Sequence, residues 1–176
     1  ARAQHLPPPV ALQPYYNLLN RQPEVELLPA ARALGLGVVS YSPIARGILS
    51  GKYALNVVPE PGSRAARQDR RFVETEWRPE SLEIARRLAA HAEGRGARLV
   101  DLAVAWALAN RNVTSVIAGP RTFEQWQSYL GALSLPWTAA DEALVDSLVA
   151  AGHPSTPGYN DPQYPVEGRN LAITSG

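Results

Sequence analysis

Apolar and polar positions follow two rhythms along this chain. "PVALQ" (9–13) is a short apolar run behind a triple proline, and proline holds the residue before it extended, so a buried strand is predicted there. "PEVELLPAARALG" then places Leu27, Leu28, Ala31 and Leu34 on one helical face, with Gly35 and Gly37 as stops. Pro29 inside that pattern predicts either a kink or a helix that begins late. "GVVSYS" (37–42) returns to a β-branched run. A strand, helix, strand order with short joints predicts a parallel sheet with the helix covering one face.

Residues 42–78 are rich in Pro, Gly and Arg without a sustained period, and a stretch that long reads as a functional or mobile loop. Periodicity resumes in "PESLEIARRLAAHAEGRG", where Leu82, Ala85, Leu88 and Ala92 recur at threes and fours. "RLVDLAVAWALANRN" has a wider apolar face and predicts a more buried helix. "TSVIAG" (114–119) is the third predicted strand, and "TFEQWQSYLGAL" (122–133) a helix capped by Thr122 with Glu124 in its first turn. "TAADEALVDSLVAAG" predicts a last helix, with Thr138 as cap, Asp141 three positions on and Gly152 at its end. Residues 153–176 form a turn-rich C-terminal tail for which Tyr159 and Tyr164 are the expected anchors. No repeat of 20–50 residues appears.

Composition narrows the classes. At 176 residues, 45% hydrophobic and 19% charged, the chain reads as globular. A net charge of +1 gives no case for nucleic acid or an acidic membrane surface, and the local run Arg64, Arg67, Arg70 and Arg71 reads as a solvated loop. Without cysteine there is no disulfide scaffold, thiol nucleophile or cysteine-ligated metal, and no metal site is read from the sequence. No apolar stretch approaches the roughly 20 residues of a membrane span, and the N-terminus lacks a signal-peptide layout. A cytoplasmic protein is the expectation. The chain has no methionine and opens on "ARAQ", which reads like the end of a helix, so residues 1–176 are taken as one partial domain of a longer protein.

The three predicted strands lead into Gln13, the turn "YSPIARGILSGKY" (41–53) and the turn at Gly119. In parallel α/β folds ligands sit at the C-terminal strand ends, so these polar turns are expected to share one mouth. Read from the residues alone, Gln13 serves equally as a polar strand end and Tyr41 as a core aromatic.

"YSPIARGILSGKY", with "LQPYYNLLNR" before it and "SVIAGPRTFEQ" after it, resembles the second half of an aldo-keto reductase, over residues 9 to 150 or so. The resemblance implies an α/β fold that is the C-terminal portion of a (β/α)8 TIM barrel, with NADP(H) as cofactor and an aldehyde or ketone reduced to an alcohol. It matches Gln13 to the side chain that hydrogen-bonds the nicotinamide carboxamide and Tyr41 to the ring that stacks on the nicotinamide. Ser42, Pro43, Ile44, Ala45 and Arg46 match the loop that reaches the pyrophosphate, with Lys52 and Arg64 supplying charge. Gly119, Arg121 and Gln125 match the turn and helix start at the adenosine end, where Arg121 suits the 2′-phosphate of NADPH. Where many relatives carry Glu followed by Asn against adenine, this chain has Ser128 and Tyr129.

The family's general-acid Tyr and its Lys, Asp and His partners come from the first half of the barrel, which this chain does not contain, so no catalytic residue is assigned. His91 reads as a solvated helix position. The substrate is a small carbonyl compound whose pocket is walled in part by residues 42–78 and the tail; the oligomeric state is not legible. Two other readings stay open: a regulatory or interaction protein that keeps the nucleotide cleft without the chemistry, and a half barrel that self-associates to cover its sheet edges.

Overall fold

A computed structural model describes residues 5–168. The order is β1 (Ala11–Leu12), α1 (Leu27–Leu34), β2 (Gly37–Tyr41), α2 (Arg70–Thr75), α3 (Pro79–Gly94), α4 (Leu99–Ala109), β3 (Ser115–Ile117), α5 (Phe123–Leu130) and α6 (Ala139–Leu148). The three strands pair in parallel in the order β1-β2-β3, with Leu12 opposite Val38 and Tyr41 opposite Ile117. The fold is therefore α/β, an open three-stranded parallel sheet with flanking helices. The helical turn read in "ARAQ" lies outside the described residues.

β1 is shorter than its apolar run because prolines flank it and cannot donate to the ladder. Pairing continues as single bonds on either side, from Gly37 N to Val10 O at 3.0 Å and from Tyr41 N to Pro14 O at 3.0 Å. α1 begins late, at Leu27, with Pro29 in its first turn, where its missing N–H costs nothing. Only Leu28 and Ala31 of the predicted face are buried, while Leu27 and Leu34 are 45% and 71% exposed. At about 100° per residue both exposed leucines point roughly 70–90° to one side of the buried pair, so an eight-residue helix seats just its central line. The helix stops at Gly35, whose φ of 68° lets its N–H reach back to the Ala31 and Arg32 carbonyls.

α3 buries Leu82, Ala85, Leu88 and Ala92, the spacing read in the sequence, and α4 buries every residue from Leu99 to Ala107. These helices pack with Leu18, Leu19, Leu28, Ile48, Leu49 and Phe72 into one core. Asp101 is buried in the first turn of α4, gripped by Arg98, which also donates to Ser128 O at 2.9 Å. A Cβ on Gly131 would stand 2.3 Å from Asp101 Oδ1, so the α5 terminus can approach α4 only with glycine there.

Residues 42–78 are not a structureless loop. They hold a short 3₁₀ stretch (Ala45–Ser50) and α2, whose Asp69 cap accepts from Phe72 N at 2.9 Å. Tyr53, Phe72 and Trp77 pack against one another at centroid distances of 5.3–5.6 Å and tie the segment into the main core. A six-residue helix is too short to register as a period. In the basic run, Arg67 and Arg70 face solvent as expected, but Arg71 bridges to Asp161 of the tail at 2.6 Å. The tail is anchored by Tyr159, which donates to Glu74 O at 3.1 Å and lies under the Arg78 guanidinium, 3.9 Å from it. Tyr164, the other expected anchor, is 70% exposed.

His91 is likewise not a solvated position. Its Nε2 lies 2.6 Å from Oδ1 of buried Asp141, whose other oxygen accepts from Arg95 at 2.6 Å and from Thr138 N and Oγ1. Burial opposes the charge, but the bonds from His91, Thr138 and Arg95 outweigh it and hold the Asp141 carboxyl below its ordinary range.

Candidate functional site

The strand ends β2 and β3 open into a cavity of about 520 Å³. β2 ends at Tyr41, and the chain then turns sharply: Ser42, Ala45 and Arg46 take φ of 56°, 47° and 50°, followed by Gly47 at 109°. Left-handed backbone at three non-glycine residues so close together costs roughly 1 kcal/mol or more at each and persists only when the surroundings enforce it. Here they do. Ala45, Ile48 and Leu49 are fully buried beneath the turn, and Asn17 Nδ2 donates to Ser42 O at 3.0 Å. The main chain is thereby folded tightly against the mouth of the cavity.

Of the residues singled out in the sequence, Tyr41, Ser42, Pro43, Ile44, Arg46, Lys52, Arg64, Gly119, Arg121 and Gln125 all line this cavity. Two do not. Ala45 is buried under the turn, and Gln13 is exposed at the end of the edge strand β1, on the open side of the sheet. Gly47, Ser50, Val100, Ile117, Ser128 and Tyr129 complete the lining.

The wall has one sign of charge. Arg46, Lys52, Arg64 and Arg121 face the cavity, and no carboxylate is among its lining residues. Arg64 is steadied by Asp69 at 3.3 Å. At the start of α5, Thr122 Oγ1 accepts from Gln125 N at 3.2 Å while Gln125 Oε1 accepts from Arg121 N at 2.7 Å. Gln125 thus braces the turn that presents Arg121, and its carbonyl is already engaged. Tyr129 is buried against α4, and burial raises its hydroxyl pKa. Apolar Val100 and Ile117 line the same cavity.

Tyr41 stands between this cavity and a smaller neighbour, with its ring 37% exposed and 5.5 Å from that of Tyr15. Glu76 lies beneath, accepting from the Tyr15 hydroxyl at 2.5 Å; burial raises its carboxyl pKa above the ordinary value. Burial also raises Tyr15 well above the usual phenol range. Neither Tyr15 nor Glu76 stood out in the sequence, because Glu76 follows a helix too short to be read and meets Tyr15 only through the fold. No group of His, Asp or Glu among the described residues is arranged to hold a metal ion, and no described helix is long and apolar enough to cross a membrane.

The fold and site are those of a parallel α/β protein with a cationic, ring-bearing cleft at its C-terminal strand ends. The chain belongs to the aldo/keto reductase family, whose profile matches residues 1–150. It is 37% identical over 127 residues to the uncharacterized oxidoreductase YrpG of Bacillus subtilis, covering 72% of this chain and 36% of that protein. It is 34% identical to a probable voltage-gated potassium channel subunit beta of rice, Oryza sativa subsp. japonica, covering 72% of this chain and 39% of the relative. A third relative, the L-glyceraldehyde 3-phosphate reductase of Escherichia coli O157:H7, is 33% identical over 80% of this chain and 41% of its own length. The chain thus spans about two fifths of the length of these relatives.

Proposed function

We propose that this chain supplies most of the cofactor cleft of an NADPH-dependent reductase that converts aldehydes or ketones to alcohols. The carrying observation is the wall of four cations without a carboxylate, set beside an aromatic ring at the strand ends. A pyrophosphate needs positive charge and close main-chain approach, which Arg46, Lys52, Arg64 and the left-handed turn provide. A 2′-phosphate needs a further cation about one nucleoside away, and Arg121, in the turn that leads from β3 to α5, suits it. Tyr41 presents a face for a nicotinamide ring. NADPH would supply the hydride; the residues here bind and orient it, and none of them is assigned the proton transfer.

The oxidoreductase relatives support the reaction class, and membership of the family supports a small-molecule substrate. Whole-protein activity is tested by NADPH oxidation with a panel of aldehydes and ketones, followed at 340 nm. Titration of NADP⁺ into the protein by calorimetry tests the cleft itself. No binding of NADP⁺ sinks the proposal.

A second reading takes the rice relative as its guide, since that protein is described as a channel subunit. On this reading the cleft binds dinucleotide and the protein acts through a partner. Tight NADP⁺ binding with no turnover of any carbonyl in the full-length protein selects it.

A further inference from the structure

The four cations of the cleft wall are held in different ways. Lys52 Nζ lies over the Tyr53 ring, 5.1 Å from its centroid, and Arg64 pairs at 3.3 Å with Asp69, whose side chain is 33% exposed. Arg46 alone of the four has a buried carboxylate behind it: its Nε stands 3.6 Å from Oε1 of Glu76, a side chain 1% exposed. At that distance the contact is an ion pair rather than a hydrogen bond.

Glu76 is itself fixed. It caps the end of α2, with its N–H donating to Phe72 O at 2.9 Å and its Oε1 accepting from the Tyr15 hydroxyl, and α2 is pinned to the tail through Arg71 and Asp161. Burial opposes its charge, while the Tyr15 hydroxyl and the guanidinium groups of Arg46, Arg78 and Arg71 favour it. Arg46 is set from the other side by its main chain, which holds a φ of 50° between buried Ala45 and buried Gly47. Its Nε is buried, so the 28% of the side chain that stays exposed belongs to its other atoms.

A carboxylate behind a cation has two opposite effects on an anion in front of it. It offsets part of the attraction, and it removes in advance the rotamer freedom that the side chain otherwise loses on binding. Lys52, Arg64 and Arg121 supply attraction whatever Glu76 does, whereas Glu76 is the only ion-pair partner of Arg46 among the described residues. Order therefore outweighs attraction at this position.

We propose that Glu76 is a positioning residue for the cleft: through its ion pair it holds the Arg46 side chain in place before the cofactor's pyrophosphate arrives. The identity of the anion rests on the reductase reading. The hold of Glu76 on Arg46 does not.

Glu76→Gln keeps the shape and the acceptor for Tyr15 but removes the charge, so in the full-length protein the affinity for NADP⁺, measured by calorimetry, should fall about fivefold. In an Arg46→Gln background the same change should alter affinity less than about twofold, because nothing is left to position. A merely structural role for Glu76 costs the same factor in both backgrounds. That result overturns the proposal, as does unchanged or tighter binding by Glu76→Gln itself. A second measurement needs no cofactor: the Arg46 Nε–H resonance, assigned as the one missing from Arg46→Gln, should show the heteronuclear NOE of a rigid group in the wild type and that of a freely moving arginine in Glu76→Gln. A mobile Arg46 side chain in the wild type overturns the proposal even if Glu76→Gln does not fold, and so does one that stays rigid in a folded Glu76→Gln protein. If the wild type binds no NADP⁺ while Arg46 is rigid and is released by Glu76→Gln, the reductase reading falls and the positioning role stands.

Discussion

Asp141 Oδ1 lies 2.6 Å from His91 Nε2, a contact that ties the first turn of α6 to the last turn of α3. With Arg95 on its other oxygen and the Thr138 cap beneath it, Asp141 joins the end of α3 to the start of α6 through one buried carboxylate.

Because its folded pKa is depressed, Asp141 contributes stability above the ordinary carboxylate pKa of about 4, and that contribution is lost as pH falls through the folded value. Asp141→Asn should lower stability at pH 7 by roughly 2 kcal/mol. The gap to the wild type should narrow on acidification. Urea melts of both proteins at neutral and acid pH check this; a pH-independent gap removes the charge as the cause.

Gly131→Ala should destabilise by about 1–3 kcal/mol, the range for overpacking a tight site. The added Cβ must displace the Asp101 carboxylate or the Arg98 guanidinium, 3.1 Å away. A melting temperature within a degree of the wild type would mean that the α4 and α5 backbones part freely.

Arg121→Ala should weaken NADPH binding about tenfold or more and leave NADH nearly unchanged. Arg121 is exposed on the cavity wall, and only its backbone N–H is engaged by Gln125. Equal losses for the two cofactors would refute a 2′-phosphate role.

In the full-length protein, Tyr41→Ala should lower the hydride-transfer rate more than cofactor affinity, since a stacking face fixes ring orientation at about 0.5–1.5 kcal/mol beyond its area. Stopped-flow traces of NADPH oxidation beside equilibrium titrations separate the two quantities. A loss confined to affinity would remove the stacking role.

Much of the framework was legible in the chain. Regular spacing fixed α3 and α4, since Leu82, Ala85, Leu88 and Ala92 can share a face only in a helix, and all four are buried. The three apolar runs pair in the predicted parallel sheet, and ten of the twelve residues singled out for the cleft line one cavity. Local chemistry determined these features: periodicity, proline, and caps such as Thr122 and Thr138 act within a few residues.

Only the tertiary structure decided the rest. His91 meets Asp141 fifty positions away, Glu76 meets Tyr15 across sixty-one, and Arg71 meets Asp161 across ninety. No local pattern encodes such pairs, because each depends on where helices and tail come to rest. The same holds for Gln13, which sequence spacing grouped with Tyr41 and the open edge at β1 leaves outside the cavity. Sequence alone determines which segments are helix or strand through short-range sterics and burial. The closing of buried charges onto partners is set by packing, since desolvation makes each one costly until a distant partner arrives.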